Sequence, residues 1–328
     1  MRRPPGPAAR RGRLPIVQID ELINGVLAGE RRSVARAISL VEDGDPGLEA
    51  LSAGIYAATG VAGTIGLTGA PGVGKSTLAT ELVRAAREHE LRVAVLAVDP
   101  TSPYTGGALL GDRVRMQEHA TDPDVFIRSM ATRGHLGGMA LAAPEAVRIL
   151  DAAGYARVIV ETVGVGQAEV DVAAATDTAV VVLAPGLGDA IQMAKAGILE
   201  IADIFVVNKS DREGASEVVR QLRQMIQLGA VREWEPPILE TSALHRGGVE
   251  ELWSAIESHR TYLQSSGVSE VKRRARLLRE VEALAAERFR VNAARTLAGE
   301  PQLAADVAAR RLDPYAAAAM LVRKASGS

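Results

Sequence analysis

Gly69-Ala70-Pro71-Gly72-Val73-Gly74-Lys75-Ser76, with Thr77 behind it, fits the spacing G-x-x-x-x-G-K-[ST]. The glycines let the backbone turn so that successive N–H groups converge on one point. Together with the start of the following helix, those groups hold phosphate oxygens. At this spacing Lys75 reaches the β and γ phosphates and the Ser76 hydroxyl ligates Mg²⁺. The flanks agree. Thr64–Thr68 reads as a short buried strand, and Ser76 to Glu90 reads as a helix with Leu78, Leu82 and Val83 on one side. A bare match is weak, whereas strand, loop and helix in that order are specific.

Downstream, apolar runs recur at Arg92–Val98, Val125–Ser129, Arg157–Glu161, Ala179–Ala184, Ile204–Asn208 and Ile238–Thr241. Most are continuous rather than alternating, as in strands buried on both faces. Helical patterns lie between many of them, at Ala140–Ala153, Glu217–Leu228 and Val249–Tyr262. This alternation predicts an α/β fold: a P-loop NTPase with a mostly parallel sheet covered by helices on both faces. Ligands of such sheets sit at the carboxyl ends of the strands.

Four segments are expected. Residues 1–15 carry five arginines and four prolines without an acid, and read as a disordered tail. Residues 16–62 form a helical extension beside the main domain, with helices near Ile19–Ala28, Arg31–Glu42 and Leu48–Gly60. Residues 63–264 form the nucleotide domain. Residues 265–328 read as two helices around a break at Gly299-Glu300-Pro301. Leu277, Leu278, Val281, Leu284 and Ala285 make an apolar stripe there. The stripe either packs on its own domain or serves as an arm for homodimerisation.

Composition narrows the function. The 328 residues carry a formal net charge of −2 and only 3% aromatics, which disfavours nucleic acid and anionic membranes as partners. No apolar run reaches the roughly 18–20 residues of a membrane span. No secretory leader follows the N-terminal arginines, so a cytoplasmic location is expected. There is no cysteine and the five histidines are scattered, which excludes disulfides and thiolate metal sites.

The base is read at Asn208-Lys209-Ser210-Asp211, after the strand Ile204–Val207. Guanine presents N1–H and N2–H₂ as adjacent donors, and the ionised Asp211 carboxylate accepts both. Adenine offers no such pair. Asn208 braces the loop and meets N7, and the Lys209 stem covers the ring. Thr241-Ser242-Ala243-Leu244 supplies a backbone amide for guanine O6. The ligand is therefore GTP or GDP with Mg²⁺ as cofactor. Mg²⁺ wants hard oxygen ligands and retains waters. Ser76 binds it directly, while Asp99, Asp112 and Glu161 act mainly through its waters, with Asp99 as a second direct ligand in one arrangement. Glu161 stands where many GTPases place the Asp of D-x-x-G, and Gly164 holds the glycine position whose amide meets the γ-phosphate. Gln167 either orients the attacking water or caps a turn. No obvious arginine finger appears, with Arg113 and Arg133 as the candidates, and lacking one predicts slow intrinsic hydrolysis that a partner accelerates. The catalytic set is then Lys75, Asp112, Glu161 and Gln167.

With these residues in place, the chain resembles the MeaB/ArgK family of SIMIBI-class P-loop GTPases. The likeness is carried by Thr68–Ser76, by Val98-Asp99-Pro100-Thr101-Ser102-Pro103 running into Thr105–Arg115, and by Arg128–Gly138, Val160–Gln167, Asn208–Asp211 and Thr241–Leu244. It implies a GTPase chaperone of an adenosylcobalamin-dependent acyl-CoA mutase, chiefly methylmalonyl-CoA mutase. Such companions gate cofactor loading and protect or reactivate the mutase. It also implies that Ala184–Lys195 is a third switch loop, with Gln192 and Lys195 facing the client. A metal-insertion GTPase and a kinase or ATPase of basic amino-acid transport are the competing functions.

Overall fold

The computed structural model describes residues 16–99, 119, 121–131, 138–162, 172, 174–186, 198–229 and 232–325. The chain divides at Ser269/Glu270 into two compact units.

The first unit is built on seven strands: β1 (Gly63–Thr68), β2 (Val93–Asp99), β3 (Val125–Ala131), β4 (Arg157–Thr162), β5 (Thr178–Leu183), β6 (Ile204–Asn208) and β7 (Ile238–Thr241). They lie in the order β3-β2-β4-β1-β5-β6-β7. Every pairing is parallel. The expected sheet is thus present. Strands β1, β4, β5 and β6 are buried along their whole length, which explains their unbroken apolar runs.

Alternation within the strands sorts the core onto two faces. Val93, Val95, Ile159, Val180 and Val182 face one way, onto α4 (Lys75–Glu88) and, through Leu252, Trp253 and Ile256, the later helix Val249–Ser265. Ala94, Leu96, Val98, Val158 and Val160 face the other way. They pack on α1 (Ile16–Leu27), α2 (Arg31–Asp43), α3 (Leu48–Ile55) and α5 (Gly138–Ala152). Helix α6 is the short Ile198–Ile201, α7 is Ala215–Leu228 and α8 is Val249–Ser265. On that second face, α7 covers Val181, Leu183, Phe205 and Val207.

The N-terminal helices, expected to lie beside the main domain, pack on it through one apolar cluster shared with the sheet. Arg128 of β3 strengthens that contact. It donates to the Ala35 carbonyl at 2.8 Å, to Ser39 Oγ at 2.9 Å and to the Glu42 carboxylate at 2.5 Å, all on α2. From α2, Arg31 reaches back to the Asp122 and Val125 carbonyls.

The second unit holds three helices where two were expected. The 31-residue α9 (Val268–Ala298) begins at the end of the first unit, and α10 (Pro301–Ala308) and α11 (Pro314–Ala325) follow. The second break comes from Asp313-Pro314. The Asp313 carboxylate caps the N–H groups of Tyr315 and Ala316 at 2.9 and 3.0 Å, and proline suits a first helical position. Helix α9 has no buried residue, and Leu278, Val281 and Leu284 of its stripe are exposed. Residues 1–15 lie outside the described residues.

Candidate functional site

Five strand ends and one helix start converge at the carboxyl edge of the sheet. The loop after β1 turns at Gly69 and Gly74, whose φ values of 139° and 99° suit glycine alone. A Cβ at Gly69 would lie 2.1 Å from the Val182 carbonyl oxygen, and one at Gly74 would lie 2.4 Å from Asn208 Nδ2. Glycine is thus required twice over, by conformation and by space. Helix α4 then starts at Lys75, so its first N–H groups open onto the loop.

Lys75 is buried, and its ammonium lies inside the loop, donating to the Gly69 carbonyl and, at 3.2 Å, to that of Ala70. The next residue, Ser76, donates its hydroxyl to Glu161 Oε1 at 2.6 Å. The register explains this contact. Strand β4 is β1's neighbour and Glu161 pairs with Leu67, so Glu161 projects toward α4. The glutamate in place of the usual aspartate reaches Ser76 without a bridge. Both groups are hard oxygen donors, the set that suits Mg²⁺. Asp99 ends β2, where its backbone pairs with Ala131.

The loop after β6 is bound directly to the loop after β1. Asn208, buried at the end of β6, donates Nδ2–H to the Val73 carbonyl at 2.9 Å. Its Oδ1 accepts from Thr241 Oγ1 and from the Ala243 N–H, each at 3.1 Å. One amide thereby ties together the loops that follow β1, β6 and β7. Lys209, at φ 58°, donates its ammonium to the Gly72 carbonyl at 2.7 Å. Ser242 donates its hydroxyl to Asp211 Oδ1 at 2.5 Å. That bond, followed by a backbone N–H, holds the exposed Asp211 carboxyl below the usual carboxylate range. The Asp211 carboxylate is therefore held in place from the loop after β7. Leu244 is exposed.

Of the residues expected to act, the structure brings together Gly69–Thr77, Glu161, Asn208, Lys209, Asp211, Ser242, Ala243 and Leu244. Asp112, Arg113, Arg133, Gly164, Gln167, Gln192 and Lys195 lie outside the described residues, as does the Asp99 side chain. The Thr241 hydroxyl, a partner of Asn208, was not singled out in the sequence. Its position at the end of a strand facing the Asn208 strand was the available signal.

Residues 34–297 match the family described as "Methylmalonyl Co-A mutase-associated GTPase MeaB". A protein of Pyrococcus horikoshii is 49% identical over 313 residues, covering 94% of this chain and 99% of its own length. The "GTPase ArgK" of Escherichia coli is 41% identical over 257 residues, covering 75% of this chain and 77% of its own. Among solved structures, one titled as a LAO/AO transport system kinase superposes with a TM-score of 0.67 at 28% identity. It covers 94% of this chain and 98% of that one.

Proposed function

We propose that this chain, which belongs to the MeaB family of methylmalonyl-CoA mutase-associated GTPases, hydrolyses GTP slowly on its own and uses its nucleotide state to regulate an adenosylcobalamin-dependent acyl-CoA mutase. The observation that carries the nucleotide part is the Asn208 amide. It joins the phosphate loop to the two base-side loops, with Asp211 ionised beside it. A site braced in this way loses little entropy on binding a guanine nucleotide.

In this reading Asp211 accepts guanine N1–H and N2–H₂. The second Nδ2 hydrogen of Asn208 meets N7, the Lys209 stem covers the ring, and the backbone of Ser242, Ala243 and Leu244 faces O6. Lys75 exchanges its carbonyl partners for phosphate oxygens, where a positive charge offsets the charge that develops on transfer. Gly69 to Thr77 supply the converging N–H groups. Ser76 and Glu161, with Asp99 and Asp112 as the further acids of the expected set, would hold Mg²⁺, which when bound supplies Lewis-acid charge compensation at the phosphates. Gly164 meets the γ-phosphate and Gln167 orients the water.

The client is assigned from the family's description, with contact through the Gln192 and Lys195 region. Homodimerisation through α9 is supported by the exposed Leu278, Val281 and Leu284. Among the described residues no helix is long and apolar enough to cross a membrane, and we place the protein with its client in the cytoplasm.

GTP turnover measured with and without methylmalonyl-CoA mutase, with ATP as control, tests the proposal. Acceleration of GTP turnover alone is expected. Indifference to the mutase would remove the client assignment. A preference for ATP would overturn the role of Asp211 and favour a transport-linked kinase.

A further inference from the structure

Two threonines stand one residue away from the groups that face the phosphates. Thr68 ends β1 and directly precedes Gly69, whose carbonyl accepts from Lys75. Thr162 ends β4 and directly follows Glu161, which accepts from Ser76. Because Leu67 is registered against Glu161, Thr68 stands beside Thr162.

Both side chains point away from α4. Ile65 and Leu67 pack toward α4, so alternation turns Thr68 to the other face. The same face holds Gly66, where a Cβ would press on Thr176 and Val172. Val158 and Val160 place Thr162 on that face too.

Both threonines are 0% exposed. The Thr162 hydroxyl reaches the Leu67 carbonyl at 3.5 Å, the far limit of a hydrogen bond. Among the described residues Thr68 Oγ1 has no hydrogen-bond partner. A buried hydroxyl without a partner is uncommon, and where one persists it has a cause. Valine has the same shape and no polar atom, so packing alone gives no reason for threonine here.

We infer that the Thr68 hydroxyl is a positioning group for the triphosphate state, its hydrogen bond made when the ends of β1 and β4 close on a γ-phosphate and unmade when that phosphate is gone. The inference rests on the guanine-nucleotide reading above. It gives the site a preference between GTP and GDP that the phosphate loop, which serves both, does not supply. A ligand shifts such an equilibrium only through its different affinity for the two arrangements, and a hydroxyl paired in one of them provides that difference.

Isothermal titration of full-length Thr68→Val with GDP and with a non-hydrolysable GTP analogue, each with Mg²⁺, tests it, alongside thermal melting without nucleotide. The valine variant is expected to melt at or above the wild-type temperature and to bind GDP within about twofold of wild type. It is expected to bind the GTP analogue roughly tenfold more weakly, a difference of about 1.4 kcal/mol, the size of one net buried hydrogen bond. Thr68→Ser should restore the wild-type ratio. If the valine variant does not fold, Thr68→Ala reads the same ratio. Equal changes for both nucleotides, or no change for either, would overturn the inference while leaving the nucleotide reading intact. Wild-type protein that bound neither nucleotide would overturn both.

Discussion

Replacing Asn208 by alanine removes one side chain and leaves three buried groups in need of partners. The Val73 carbonyl loses its 2.9 Å donor, and the Ala243 N–H and Thr241 hydroxyl lose a shared acceptor at 3.1 Å. Val73, Thr241 and Ala243 are all at most 3% exposed, so water does not reach them freely. Each orphaned group costs about 1–3 kcal/mol. The three costs share one cavity, into which a water can enter and satisfy part of the set, so they do not add. The expected loss of unfolding free energy is about 3 kcal/mol, read by urea denaturation without nucleotide. Asn208→Asp sharpens the test. A carboxylate still accepts from Thr241 and Ala243, but it is a buried charge with an oxygen set against the Val73 carbonyl, so a loss at least as large as in the alanine variant is expected. If the alanine variant stays within about 0.5 kcal/mol of wild type, the range of an ordinary surface change, Asn208 is not the brace described.

Gly74→Ala places a methyl against Asn208 Nδ2 at a φ that alanine rarely adopts, so nucleotide binding is expected to fall sharply in a fluorescent-nucleotide titration. Arg128→Met strands the Glu42 carboxylate between α2 and β3 and is expected to destabilise by about 3–5 kcal/mol in denaturant melts. Ser242→Ala removes the largest influence lowering the Asp211 pKa. A depressed carboxyl pKa favours the native state above the unfolded pKa, and that benefit fades as pH falls through the folded value. The Asp211 carboxyl NMR titration should therefore move to higher pH in the variant, with GTP affinity lost earlier on acidification. Lys75→Ala should weaken binding of GTP and GDP alike, measured by calorimetry.

The sheet was legible because its strands are buried on both faces and so read as unbroken apolar runs, Val158-Ile159-Val160 and Phe205-Val206-Val207 among them. The phosphate loop was legible because backbone geometry requires its glycines. Packing between elements was not. Nothing in Arg128 or Glu42 announces that they pair across 86 positions, and that pairing belongs to the interface that makes α1–α3 part of the core. The third C-terminal helix was hidden by continuous Ala-rich sequence, although Asp313-Pro314 carried the cap signal. At the site, Asp211 and Ser242 were each legible from their motifs. Their mutual hydrogen bond depended on the approach of the loops after β6 and β7, which local spacing does not encode.

The sharing of one core between α1–α3 and β2–β4 has a consequence for biosynthesis. The helices leave the ribosome first, but the strand β4 that completes their apolar cluster ends about a hundred residues later, at Thr162. At cellular elongation rates that interval is roughly 5–20 s. Throughout it the apolar faces of α1, α2 and α3, with Val26, Val34, Ile38 and Leu51 among them, have no sheet to cover them. The nascent chain must therefore keep its earliest helices from sticking to a neighbouring chain. Slowing translation before β4 should raise aggregation more than slowing it after.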